Sequence, residues 1–111
     1  MAKITEDYCS QEVYRLLREK GFDGEIHTTF DEEGYTQPSI TLQMAMKWLR
    51  EVHNLYIQHE ITAWPQKGYF VKIYLYKNQY NNFEEIPFVE HKKSYEEAAE
   101  AAIKYCLENL I

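Results

Sequence analysis

A chain of 111 residues in which 45% of side chains are hydrophobic supports one modest core, which excludes a disordered segment and a two-domain protein. A formal net charge of -6, from 18 acidic against 12 basic residues, argues against a broad phosphate-binding surface. No apolar run approaches the ~20 residues that span a bilayer. Ten tyrosines beside five Phe and two Trp exceed what so small a domain can bury, so some rings are expected on exposed faces.

Residues 1–7 lack the apolar core of a signal peptide. The two cysteines, Cys9 and Cys106, are read as reduced, with Cys106 a small core residue. The expectation is a soluble, cytoplasmic, single domain over residues 1–111.

In chain order, the first helix is predicted to start after Ser10, a good N-cap, with Glu12 favourably placed against the helix dipole. Val13, Leu16 and Leu17 form its buried stripe, with Tyr14 at the edge. Gly21 supplies the left-handed stop, and Phe22 folds back over the last turn. Residues 25–38 read as strand, turn and strand: Ile26, Thr28 and Phe30 alternate with His27 and Thr29, and Asp31-Glu32-Glu33-Gly34 has turn composition. A second helix begins at Thr41 and runs to His53, with Leu42, Ala45, Met46, Leu49 and Val52 on one face and Trp48 beside them.

A hairpin follows. Residues 56–64 place Ile57, Ile61 and Ala63 on one side, Pro65-Gln66-Lys67-Gly68 turns the chain, and residues 69–77 return. Val71, Ile73 and Leu75 then face the core while Phe70, Tyr74 and Tyr76 face away. Residues 83–90 read as a weak strand that Pro87 confines to an edge. The last helix starts with a capping box, Ser94 with Glu97. Ala98, Ala99, Ala102, Ile103, Cys106, Leu107 and Leu110 then repeat along one face. The predicted class is α+β, with three helices on one face of a small, mostly antiparallel sheet in the order α-β-β-α-β-β-(β)-α.

Little of this carries chemistry. His27, His53, His59 and His91 lie in separate segments without the paired spacing of a zinc site, and His59 shares strand parity with Ile57 and Ile61 as a core-margin residue would. The carboxylates at 31–33, 84–85 and 96–97 fall in turns or a helix start, where they are ordinarily solvated. There is no nucleophile elbow and no phosphate-cradling glycine loop. The sequence therefore predicts no catalytic residue, no metal and no cofactor.

The aromatic side of the hairpin is the stronger lead. Phe70, Tyr74 and Tyr76, joined by Tyr56 and Trp64 from the neighbouring strand, would make a docking surface for a protein partner, and a homodimer suits such a face. The competing structural readings are that a helix or loop covers it, or that Tyr merely suits strands. Nucleic acid is the next alternative, and a small-molecule-binding or enzymatic domain, with His53 or His59 beside a carboxylate in a concave pocket, is the third. Residues 41–111 resemble the double-stranded-RNA-binding fold in element order, but Glu96 and Glu97 occupy the helix start where that fold relies on basic residues. Lys67, Lys72 and Lys77 around the rings would instead suit a single strand.

The segments Leu16–Asp23, Thr41–Asn54 and Ala101–Leu110 together resemble a group of short uncharacterised proteins encoded by gut Bacteroidetes and their phages or prophages. The likeness is weakest over 31–39 and 78–93. It implies an intracellular accessory protein of mobile-element origin and transfers no activity.

Overall fold

A computed structural model describes residues 7–63 and 66–111. The elements are α1 (Gln11–Glu19), β1 (His27–Phe30), β2 (Thr36–Ser39), α2 (Leu42–His53), β3 (Leu55–Thr62), β4 (Gly68–Lys77), β5 (Asn82–Lys92) and α3 (Tyr95–Asn109). The α+β class and element order are those expected. The strands form two separate antiparallel sheets, the β1–β2 hairpin and a three-stranded meander in the order β3-β4-β5.

Each helix begins where its cap is written. Ser10, Thr41 and Ser94 have extended backbones, and their hydroxyls accept from the N–H groups of Val13, Met44 and Glu97 at 3.3, 3.1 and 3.2 Å. At Ser94 only this half of the capping box forms among the described residues. The end of α1 is a Schellman motif: Gly21 adopts φ +94°, Gly21 N–H bonds Arg18 O at 3.2 Å and Phe22 N–H bonds Leu17 O at 2.9 Å. That turn fixes Phe22 in the core.

The core lies between the meander and α3, which crosses all three strands. Ala98, Ala99 and Ala102 keep the near side of α3 shallow, so Ile103 and Leu107 reach Val71 and Ile73 in one continuous buried cluster. Along β5, Ile86 and Phe88 close the same cluster, and Phe88 packs on Tyr105 with ring centroids 4.6 Å apart. Helix α2 packs on β3 and α3, whereas α1 packs on α3 alone among its larger contacts. The α1–α3 seam carries a 2.8 Å Glu12–Lys104 ion pair. The segment before α1 is stitched to the start of α2, with Cys9 N–H on Ile40 O and Leu42 N–H on Asp7 O, both 2.9 Å. Buried Ser39 donates to Cys9 O at 2.9 Å, so it carries no unpaired hydroxyl.

The burial expectations for Val52 and Ile61 need correction. Val52 is 57% exposed, and Trp48 takes its place because Phe22 meets the indole edge-on at 5.7 Å. Ile61 has the core parity expected of it but is 80% exposed, since the first residue of α3, Tyr95, already packs on His59 and Tyr69 and Ile61 runs beyond it. The segment predicted as a weak edge strand is β5, eleven residues long, at the meander edge, with exposed Pro87 and a bulge opposite Val71–Ile73. Cys9 and Cys106 are both buried free thiols.

Candidate functional site

Because β3 and β4 pair in unbroken register, with Tyr56 opposite Tyr74 and Ile57 opposite Ile73, side-chain parity divides the meander cleanly. Leu55, Val71 and Ile73 face the helices. Tyr56, Phe70, Tyr74 and Tyr76 occupy the opposite side, and none of them belongs to the core cluster or its fringe.

Three of these rings converge on a fourth that the sequence reading did not include. Phe83, opposite Tyr76 at the start of β5, meets Tyr56 at 5.2 Å and 87°, Tyr76 at 5.0 Å and 53°, and Tyr74 at 6.5 Å and 84°. These are edge-to-face and tilted contacts of the favoured kind. The tyrosines are half-buried by one another, and Phe83 remains 54% exposed. The Tyr76 hydroxyl also donates to Asn81 Oδ1, in the left-handed residue of the β4–β5 turn. The signal for Phe83 was the short loop: pairing Lys77 with Asn82 places residue 83 directly across from Tyr76.

Phe70 does not join this cluster. It sits at the far end of β4 against His91, centroids 5.1 Å apart, with Lys72 between it and Tyr74. Trp64 lies outside the described residues. The expected five-residue face is therefore a four-ring cluster of Tyr56, Tyr74, Tyr76 and Phe83, with Phe70 separate.

Around the margin two lysines are held in ion pairs. Lys72 meets Glu60 at 3.6 Å and Lys77 meets Glu84. Neither lysine stands as an uncommitted phosphate contact. An open cleft of about 580 Å³ adjoins the cluster, lined by Tyr56, Ile57, Gln58 and His59 of β3 with Tyr74, Phe83 and Tyr95. It wraps the outer side of β3 and joins the aromatic face to the first turn of α3.

The histidines stay apart, each against a different ring. His27 meets Tyr8, His53 meets Trp48, His91 meets Phe70, and His59 stacks on Tyr95 at 3.8 Å and 15°. Among the described residues no three His, Cys, Asp or Glu side chains gather as a metal site would require. Burial lowers the pKa of His53 and of His59, the latter opposed in part by the Tyr95 backbone. Burial pushes both thiols up to about 12, with Glu100 adding to the effect at Cys9. Thiols so placed are poor nucleophiles. The acidic turn is structural: Asp31 Oδ1 accepts from the N–H groups of Glu33 and Tyr35 at 3.0 and 2.9 Å.

Among the described residues no helix is long and apolar enough to cross a membrane. Comparison with protein-family models, curated proteins and solved structures returns no match to this chain.

Proposed function

We propose that this protein is a small interaction module that docks a protein partner on the outer face of its three-stranded sheet, by binding and not by catalysis. The observation that carries the reading is the convergence of Tyr56, Tyr74 and Tyr76 on exposed Phe83. Rigid aromatic side chains held by a sheet lose little entropy on binding and recur at energetic hot spots. The helices pack against the other side of the sheet, which leaves the aromatic side to a partner. A cytoplasmic accessory role of mobile-element origin belongs to the same proposal and rests on the resemblance of residues 16–23, 41–54 and 101–110.

The test is a quantitative pull-down from the source cell extract with wild type, Tyr74→Ser/Tyr76→Ser and Phe83→Ser, each checked by circular dichroism. A protein retained by wild type and lost from both folded variants supports the proposal. Equal retention by all three refutes it.

A further inference from the structure

The cleft at β3 raises a separate matter, the unpaired strand edge beside it. Tyr76 N–H donates to Asn54 O at 2.9 Å, and register places these residues opposite one another. In an antiparallel ladder, hydrogen-bonded and non-hydrogen-bonded pairs alternate. Tyr56, Gln58 and Glu60 therefore direct their backbone groups into β4, while Ile57, His59 and Ile61 direct theirs outward. Among the described residues no strand flanks β3 on that side. The other edge, β5, carries Pro87, a bulge and a row of charges, which are common defences against edge-to-edge pairing. Between Leu55 and Ile61 the β3 edge has no proline, no bulge and a single carboxylate, Glu60, and Ile61 near its end is 80% exposed.

The sequence at this edge is self-complementary. Ile57-Gln58-His59-Glu60-Ile61 reads almost the same in both directions. A two-fold axis normal to the sheet requires a residue to face its own copy, since directly opposed residues must share a face. With His59 at the axis, Ile57 meets Ile61 of the second copy and Gln58 meets Glu60. No like charges oppose one another. The outward backbone groups of residues 57, 59 and 61 then exchange about six hydrogen bonds.

We infer that the chain forms a two-fold dimer by antiparallel pairing of β3 with β3 of a second copy, making one six-stranded sheet. The inference goes beyond the aromatic-face reading and does not depend on it. It also extends it, because a two-fold normal to the sheet preserves faces. Both four-ring clusters then lie on the same side, giving a bivalent platform with the helices on the other.

The experiment is sedimentation velocity of the full chain across a concentration series reaching about 200 μM, in the weak-affinity range expected of a short interface. Wild type is compared with Ile61→Lys, Ile61→Pro and Tyr74→Ser/Tyr76→Ser. Ile61 points its N–H outward, so proline there removes no bond within the protomer, and Ile61→Lys decides the matter if the proline variant fails to fold. The expected result is a dimer of twice 13.4 kDa for wild type and for the tyrosine variant. Ile61→Pro should bind its own copies about thirtyfold more weakly, equivalent to losing one hydrogen bond at each end of the ladder, and Ile61→Lys should weaken self-association by setting a charge against Ile57 of the second copy at each end. In Gln58→Cys/Glu60→Cys, the introduced thiols face one another as a non-hydrogen-bonded pair, and mild oxidation should trap the dimer covalently. A monomeric wild type overturns the inference, as does a dimer that both Ile61 variants leave intact. Dissociation by the tyrosine variant overturns it in favour of the aromatic face as the self-association surface.

Discussion

Ile73 and Tyr74 are neighbours on the central strand and project to opposite sides of the sheet, so they make a matched pair for separating fold from surface. Ile73 is fully buried, aligned with Ile57 on β3 and Ile86 on β5. Ile73→Ala leaves a cavity in the middle of the core and should cost about 2–5 kcal/mol. Tyr74 is half-buried, and its principal ring contact is Phe83 at 6.5 Å. Tyr74→Ser removes an aromatic pair worth about 0.5–1.5 kcal/mol. It also loses strand preference worth a fraction of the ~1 kcal/mol span of that scale. The sum is about 1–2 kcal/mol. For a chain of this length each kcal/mol moves the melting midpoint by about 4 °C, so the expected drops are about 8–20 °C for Ile73→Ala and about 4–8 °C for Tyr74→Ser. Thermal unfolding followed at 222 nm, with urea titration to check that m is unchanged, measures both. A Tyr74→Ser loss equal to or larger than that of Ile73→Ala would show that the outer face is core, and the docking argument would fail with it.

Other consequences follow from the same structure. Gly68→Ala should destabilise by about 1–3 kcal/mol, because the added Cβ would lie 2.7 Å from Lys92 O and 2.5 Å from His91 Nε2; urea titration matching wild type would contradict this packing. Burial lowers the pKa of His53 and His59, so between their native values and the unfolded value near 6.5 the unfolded chain binds more protons. Their contribution is complete above that range and is lost as pH falls through it; stability should drop from pH 7 to pH 5, less steeply in His59→Gln, and an unchanged slope in that variant would refute the assignment. With thiol pKa values pushed up to about 12, Cys9 and Cys106 should react with a disulfide reagent at pH 8 only after unfolding, and rapid reaction of the native protein would contradict their burial. Double-stranded RNA should not shift the protein at 0.1 M salt, given the acidic first turn of α3; a salt-sensitive shift would revive that alternative.

What was legible in the sequence was local. Ser10, Thr41 and Ser94 announce helix starts because capping involves residues three apart, and Gly21 marks its stop because the left-handed turn disfavours a Cβ. The two faces of β4 were equally plain from alternation. What escaped depends on partners distant in sequence. Periodicity alone ranks Val52 with the buried face of α2, but the chain after α1 carries Phe22 onto Trp48 and leaves Val52 uncovered. Ile61 has the correct parity, yet parity does not reveal where the cover from the first turn of α3 stops. Phe83 became part of the aromatic cluster only through the cross-strand register that sets it opposite Tyr76. The same register removes Phe70 to the other end of the sheet, a separation of four residues along one strand that sequence proximity disguises.

The most direct test of the aromatic face as a binding surface is site-specific photo-crosslinking in the source cells. A benzophenone side chain replaces Phe83, the exposed centre of the cluster, and in a control it replaces exposed Gln43 on α2. The account predicts one discrete protein adduct from position 83 that disappears when Tyr74→Ser/Tyr76→Ser is added and is absent from position 43. No adduct at position 83, or the same adducts from both positions, would contradict it.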